Sequence, residues 1–127
     1  WDLGDDAFTV GRPHPMIEPA LRDEEVARAL GDPAVGLVLV DCVLGYGAHP
    51  DPAGSLAHAV KRAAEASPAR RRPVVVASVT GTDRDPQGYG DPRRTLEASG
   101  IRVAESNAEA AEWCARLLGR RAREEAR

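Results

Sequence analysis

Residues 35–50 read VGLVLVDCVLGYGAHP, a strand-like apolar run that ends in a loop rich in glycine. A strand is predicted near 35–42, because residues 35–40 are apolar at both alternating positions, which is typical of a strand covered by helices on both sides of a parallel sheet. Two further runs, at 73–79 and 101–104, have the same character. Each run gives way at its carboxyl end to a polar loop, and ligands of open α/β domains bind at that edge of the sheet. The sequence therefore predicts a fold class together with the position of a site.

Helical patterns separate these strands. Helices are predicted from Asp23 to Gly31, from 55 to 66, from Asp91 to Gly100 and onward from Asn107, with Asp23, Asp91 and Asn107 as the capping residues. Residues 7–10 predict a short strand near the start of the chain. The β-α-β-α-β-α alternation predicts right-handed crossovers and a small parallel sheet of three to four strands. We expect one domain over residues 1–118, followed by a charged tail over 119–127.

Composition and charge limit the kinds of molecule that this chain is expected to bind. The 127 residues carry 17 basic and 20 acidic side chains, a net charge of -3, which supplies no positive field for a nucleic acid. Two cysteines 72 positions apart predict neither a zinc site nor a disulfide framework. No run approaches the roughly 20 apolar residues that cross a membrane, and the first residues lack a basic signal-peptide start. We expect a soluble, cytoplasmic domain, and the start at Trp1 suggests a piece of a longer protein.

The first loop is a candidate anion site. Gly45 and Gly47, on either side of Tyr46, allow backbone N–H groups to approach a ligand, and the loop leads into a helix whose amino end attracts anions. The alternative is a tight strand-to-helix turn with His49 at the surface. The dinucleotide fingerprint and the Walker loop are both absent from the sequence.

Four charged or ionisable side chains are candidates for chemistry. Asp41 lies where the first long strand meets its loop, a place where a carboxylate can bind a metal, act as a base or orient a histidine, and the alternative is that it caps the turn. His14 and His49 each precede a proline, which holds the local backbone extended and can aim the imidazole, although either can equally be a surface residue. Arg12 lies two residues before His14. Cys42 adjoins the apolar strand and is expected to pack in the core.

The second loop is the expected opposite wall of the site. It runs from residue 80 to 90 and offers hydroxyl, carboxylate, amide and guanidinium groups within one span. Gly81, Thr82, Gln87 and Tyr89 are its candidate substrate- or phosphate-binding residues. No metal site is predicted. A sheet of three or four strands has bare edges, so we also expect association with other subunits or with a second copy.

Several stretches together resemble the FdrA proteins, which are similar to the succinyl-CoA synthetase alpha subunit and other acyl-CoA synthetases. The resemblance extends from about residue 2 to 118, and its most specific string is Leu-Gly-Tyr-Gly-Ala-His-Pro-Asp-Pro at 44–52. The other stretches that carry it are residues 2–6, 9–17, 78–82 and 85–87, with Asp41.

This resemblance implies a flavodoxin-like three-layer α/β/α domain, a doubly wound parallel sheet, as found near the carboxyl terminus of longer FdrA polypeptides. It also implies a ligase activity on acyl, carbamoyl or phosphoryl groups, with carbamoyl transfer to oxamate in allantoin breakdown as one case. In such ligases CoA is held mostly by a separate Rossmann-like domain and the nucleotide by a grasp domain of the partner subunit. Neither domain is present here, so CoA or a nucleotide would be bound mainly by residues outside this chain.

One position departs from the family pattern. Succinyl-CoA synthetases carry a phosphorylated histidine in a Gly-His-Ala-Gly loop after the second of these strands, where this sequence has Gly88-Tyr89-Gly90-Asp91. Two hypotheses follow. In the first, the loops bind an anionic substrate while Arg12, His14 and His49 neutralise charge or move protons, Asp41 orients one histidine, and Gly45, Gly47, Gly81 and Thr82 donate hydrogen bonds. In the second, the domain is a non-catalytic assembly module.

Overall fold

Five helices and three strands alternate along the part of the chain that the structure describes. The computed structural model describes residues 3–66 and 72–125, with side chains described as far as Gly119. In chain order the elements are α1 (Asp6–Thr9), α2 (Ala20–Gly31), β1 (Leu37–Val43), α3 (Pro52–Ala66), β2 (Val74–Thr80), α4 (Gly90–Ala98), β3 (Arg102–Ala104) and α5 (Asn107–Glu125).

The three strands form one parallel sheet in the order β1-β2-β3. The register places Leu37 opposite Val74 and Asp41 opposite Ser78, and Ser78 in turn opposite Ala104. Because the strands are parallel, the loops that follow β1, β2 and β3 all leave from the same edge. The predicted fold class and the three predicted strands are confirmed, each within two residues of its expected bounds.

The sheet is covered on both faces. Helices α2, α3 and α4 pack together on one face, and α5 crosses the other face and contacts all three strands. The first face holds the larger core, in which Leu56 and Leu96 are fully buried in a cluster that includes residues of all three strands. The second face holds a smaller core around Val76 and Cys114. The structure is therefore a three-layer α/β/α domain, as predicted.

Cys42 lies at the centre of the larger core. Its side chain is fully buried, and burial raises the pKa of its thiol to about 11. A thiol with so high a pKa is almost entirely protonated at neutral pH, which makes it a poor nucleophile. The expectation that Cys42 packs in the core is confirmed.

Three helices begin before the residues that the sequence predicted. Helix α2 begins at Ala20, so Asp23 lies inside it and binds Arg22 and the Ser55 hydroxyl instead of capping the helix. Helix α3 begins at Pro52 because the Asp51 carboxylate accepts the N–H of Gly54 at 2.8 Å. Helix α4 begins at Gly90, and Asp91 pairs with Arg94 on its first turn.

One expectation near the start of the chain was wrong. Residues 6–9 form helix α1 and not a strand, because the Asp5 carboxylate accepts the N–H of Ala7 at 2.8 Å and caps a helical turn. Helix α5 continues through Gly119 to Glu125, so most of the predicted charged tail is helical backbone. No helix in the part of the chain that the structure describes is long and apolar enough to span a membrane.

The two edges of the sheet differ. At the β3 edge, the Arg93 guanidinium donates to the Val103 carbonyl at 3.3 Å and pairs with Glu105 at 2.8 Å. At the β1 edge, Leu44 donates to Thr80 and Gly36 accepts from Val74, so the even-numbered residues of β1 face β2. The backbone groups of residues 37, 39, 41 and 43 therefore point outward. They border a groove of about 690 Å³ between β1, α2 and residues 14–16.

Candidate functional site

The loops after β1 and β2 are joined at the carboxyl edge by one side chain. The Gln87 carboxamide accepts the N–H of Gly45 at 3.1 Å and donates to the carbonyls of Gly45 at 3.1 Å and His49 at 3.0 Å. The predicted opposition of these loops therefore has a physical basis. Since its oxygen and its nitrogen are both engaged, Gln87 holds the loops together in this structure and has little capacity left for a ligand.

Both candidate histidines have their Nδ1 atom occupied. The backbone N–H of Asp51 donates to His49 Nδ1 at 3.0 Å, and that of Met16 donates to His14 Nδ1 at 3.1 Å. Because a backbone N–H is always a donor, each Nδ1 is an acceptor and the proton of the neutral imidazole lies on Nε2. Each ring therefore has an N–H donor at Nε2. In this tautomer neither Nε2 has the free lone pair that accepting a phosphoryl group requires.

The two histidine segments lie side by side. The backbone N–H of His49 donates to the carbonyl of Met16 at 2.8 Å, and the turn that begins at His14 is closed by Ile17 and Glu18. His49 is half-buried, while His14 is exposed. The amino-terminal segment is thus attached to the first loop and, through Gln87, to the second.

Backbone geometry explains why two of the candidate positions are glycine. Gly45 has φ of 141°, a conformation that side chains rarely adopt. A Cβ added at Gly81 would lie 2.6 Å from the Cβ of Leu44, so this glycine lets the two loops meet. Gly47 has open space around the same position. The requirement for glycine at 45 and 81 therefore follows from the loop structure itself.

Thr82 is engaged within its own loop. Its N–H and its hydroxyl both lie within hydrogen-bonding distance of the Asp85 carboxylate, at 2.6 and 3.2 Å. Three further candidates differ in their exposure. Tyr46 is 88% exposed at the tip of the first loop, Arg12 is exposed beyond α1, and the half-buried ring of Tyr89 packs against the larger core.

Asp41 is held by partners that the sequence analysis did not name. Its Oδ1 accepts the Ser78 hydroxyl at 2.6 Å and the Asn107 amide at 3.1 Å. Within the described residues Asp41 makes no hydrogen bond to His14 or His49, so the expected orientation of a histidine by Asp41 is absent here. The reason is that alternation along β1 places Asp41 on the α5 face, opposite Cys42.

Only some of the candidate site residues line the groove beside β1. His14 and Asp41 both line it, as do Arg22 and Leu39, whereas His49, Thr82 and Gln87 do not. Arg22 is 9% exposed and engaged by Asp23 and the Pro52 carbonyl, so it anchors α2 to the start of α3. Within residues 3–66 and 72–125, no group of three or more His, Cys, Asp and Glu residues is arranged to hold a metal ion.

Ser78 and Asn107 are the residues that sequence reasoning missed. Ser78 did carry a signal, since it is the only hydroxyl before Thr80 in the apolar run 74–80. Asn107 was interpreted as a helix cap because it precedes an amphipathic stretch. The actual cap of α5 is the preceding residue, since the Ser106 hydroxyl accepts the N–H of Glu109 at 3.2 Å. The Asn107 side chain is thereby available to reach Asp41.

A parallel α/β domain with polar loops joined at its carboxyl edge has the architecture of a ligand-binding domain. Comparison with known proteins identifies the family: the chain belongs to the CoA-ligase family, whose model matches residues 1–117. It is 39% identical over 107 residues to the uncharacterized protein YahF of Escherichia coli strain K12. The match covers 84% of this chain and 21% of YahF, so the chain spans about a fifth of that relative's length.

Proposed function

We propose that this domain binds an anionic acyl, carbamoyl or phosphoryl group at the carboxyl edge of its sheet and contributes to a ligase or transferase reaction. The observation that carries the proposal is the junction of the two loops through Gln87, which bonds the carbonyl of His49, a residue whose Nε2 carries an N–H donor. Such a fixed donor stabilises negative charge on a substrate oxygen. Membership of the CoA-ligase family supports the same class of reaction.

The role proposed for His49 is to donate a hydrogen bond and not to carry a phosphoryl group. Two observations support this restriction. Its Nδ1 atom accepts the N–H of Asp51, and the family's phosphohistidine position is occupied by Tyr89, whose ring packs against the core. His14, beside the neighbouring groove, would act in the same manner, and exposed Arg12 would add positive charge.

The finer identity rests on resemblance. The string at residues 44–52 is similar to that of the FdrA proteins, which suggests carbamoyl transfer to oxamate as one candidate reaction. CoA or a nucleotide, if used, would be bound mainly by other domains or subunits of the same enzyme. A cytoplasmic location and assembly into a homo-oligomer or subunit complex are part of the same proposal.

The test uses the three histidines of the chain. In the natural full-length protein, His49→Ala is expected to lower turnover in acyl-CoA formation or carbamoyl-phosphate consumption by about 100-fold, because a fixed donor to a developing anion is lost. His14→Ala should also lower turnover. The matched control is His58→Ala, since His58 is exposed on α3 and should leave turnover unchanged.

A second candidate function is favoured because the polar groups of the loops already have hydrogen-bond partners within the chain. Gln87, Thr82 and both Nδ1 atoms already have partners within the chain, as expected of a module that assembles with other subunits and does no chemistry. Equal turnover in the His14, His49 and His58 variants, with unchanged circular dichroism, would support this module and contradict the enzymatic proposal.

A further inference from the structure

The buried hydroxyl of Ser78, in the middle of the sheet, donates to one acceptor, the exposed carboxylate of Asp41. Ser78 is 1% exposed in β2, on the face covered by α5. Its hydroxyl donates to Asp41 Oδ1 at 2.6 Å, the short distance expected of a hydrogen bond to a charged oxygen. A serine among Val and Ala residues is a costly choice for packing alone, since its hydroxyl needs a partner once water is removed. The Ser78 hydroxyl therefore depends on Asp41 as its hydrogen-bond acceptor.

The two oxygens of Asp41 differ in their surroundings. Oδ1 takes both donors, the Ser78 hydroxyl and the Asn107 amide. Oδ2 receives no hydrogen bond from the residues that the structure describes, and Asp41 is exposed on the lining of the groove beside β1. With Oδ1 held by two different elements, β2 and α5, the direction of Oδ2 is fixed. Oδ2 is therefore the oxygen of Asp41 that is left to accept a hydrogen bond from a bound molecule.

We propose that Ser78 and Asn107 are positioning residues that hold Asp41 so that its Oδ2 accepts a hydrogen bond from an N–H or O–H group of the substrate. This inference rests on the proposed function and deepens it by naming the polarity of the substrate. The group bound there must carry a hydrogen to donate, as a carbamoyl NH₂, an amide or a hydroxyl does. A bare phosphate dianion would be repelled by the Asp41 carboxylate.

The location agrees with such a role. Asp41 pairs with Ser78 near the carboxyl ends of β1 and β2, and Asn107 opens the helix that follows β3. The constellation thus lies at the same edge as the loops joined by Gln87, on the α5 face of the sheet. His14 lines the same groove with its Nδ1 occupied, so this groove is lined by one residue with an N–H donor and by one with a carboxylate acceptor. That pair suits a substrate with an acceptor at one end and a donor at the other.

The test is a double-mutant cycle in the natural full-length protein, with carbamoyl phosphate and CoA as probes. Asp41→Asn is expected to lower kcat/KM by about 100-fold, because the charged acceptor Oδ2 is replaced either by an N–H donor or by the uncharged oxygen of an amide. Asn107→Ala, at an exposed position, should lower kcat about 10-fold through misplacement of Oδ2. Ser78→Ala should do the same, and Thr95→Ala, whose hydroxyl bonds only its own helix backbone, is the unaffected control.

The cycle separates positioning from stability. If Asn107 acts through Asp41, then Asn107→Ala added to Asp41→Asn lowers kcat no further. A full 10-fold additional loss in the Asp41→Asn background, or normal kcat/KM in Asp41→Asn itself, would overturn the inference while leaving the proposed function intact. Absence of turnover by the unaltered protein with every acyl and carbamoyl substrate would instead refute the proposed function, and the inference with it.

Discussion

At the scale of single residues, the two glycines Gly81 and Gly47 make a matched pair. A methyl group at Gly81 would meet Leu44 at 2.6 Å, whereas nothing lies within 4 Å of the equivalent position at Gly47. Gly81→Ala is therefore expected to lower the free energy of unfolding by about 1–3 kcal/mol through overpacking. Gly47→Ala should change it by less than about 0.5 kcal/mol. Urea unfolding followed by tryptophan fluorescence measures both, and equal effects would contradict the described approach of the loops.

The same scale shows what residue types alone could predict. The sequence placed Asp41, His49 and Thr82 near one edge of the sheet, because strand ends are readable from apolar runs. It could not tell which atoms were already occupied. Whether Nδ1 of His49 is free depends on a backbone N–H two residues away, and the partner of Asp41 depends on the register of β1 against β2. Both are consequences of three-dimensional pairing that no linear pattern contains.

At the scale of secondary-structure elements, the strands were predictable and the helix starts were not. Strand bounds follow the long apolar runs, whereas a helix begins where some side chain satisfies its first N–H groups. For α3 that side chain is Asp51, which lies four residues before the predicted start. For α1, the Asp5 cap overrides the strand propensity of Phe8, Thr9 and Val10.

Helix α5 gives the sharpest test at this scale. Ser106→Ala is expected to lower the free energy of unfolding by about 1 kcal/mol, because the N–H of Glu109 loses its side-chain acceptor. The comparison variant is Asn107→Ala, which should cost less than about 0.5 kcal/mol, since exposed Asn107 bonds Asp41 and not the helix backbone. Chemical denaturation of both variants decides the matter: a larger loss at Asn107 would mean that the interpretation of Asn107 as the cap was right after all.

At the scale of the whole molecule, the two edges of the sheet differ in how well they are protected from pairing with another strand. Arg93 occupies the β3 edge, where it donates to the Val103 carbonyl and pairs with Glu105, and its hydrogen bond to Glu105 raises the pKa of the guanidinium. Charged side chains at an edge discourage pairing with another strand. At the β1 edge, among the residues described, no side chain forms a hydrogen bond to the outward backbone groups of residues 37, 39, 41 and 43. These groups border an apolar groove, and Leu39 on β1 is 43% exposed.

This asymmetry predicts where copies of the chain would associate. An unprotected seven-residue strand is a template for pairing, so we expect the 127-residue chain to self-associate as its concentration rises. Leu39→Lys should shift it toward monomer, because pairing at this edge would bury an unpaired ammonium group. Leu118→Lys is the control, since Leu118 is similarly exposed, at 49%, but belongs to helix α5 and not to the edge strand. Sedimentation velocity over a range of concentrations measures both. A chain that stays monomeric throughout, or equal effects of the two lysines, would show that the β1 edge does not mediate association.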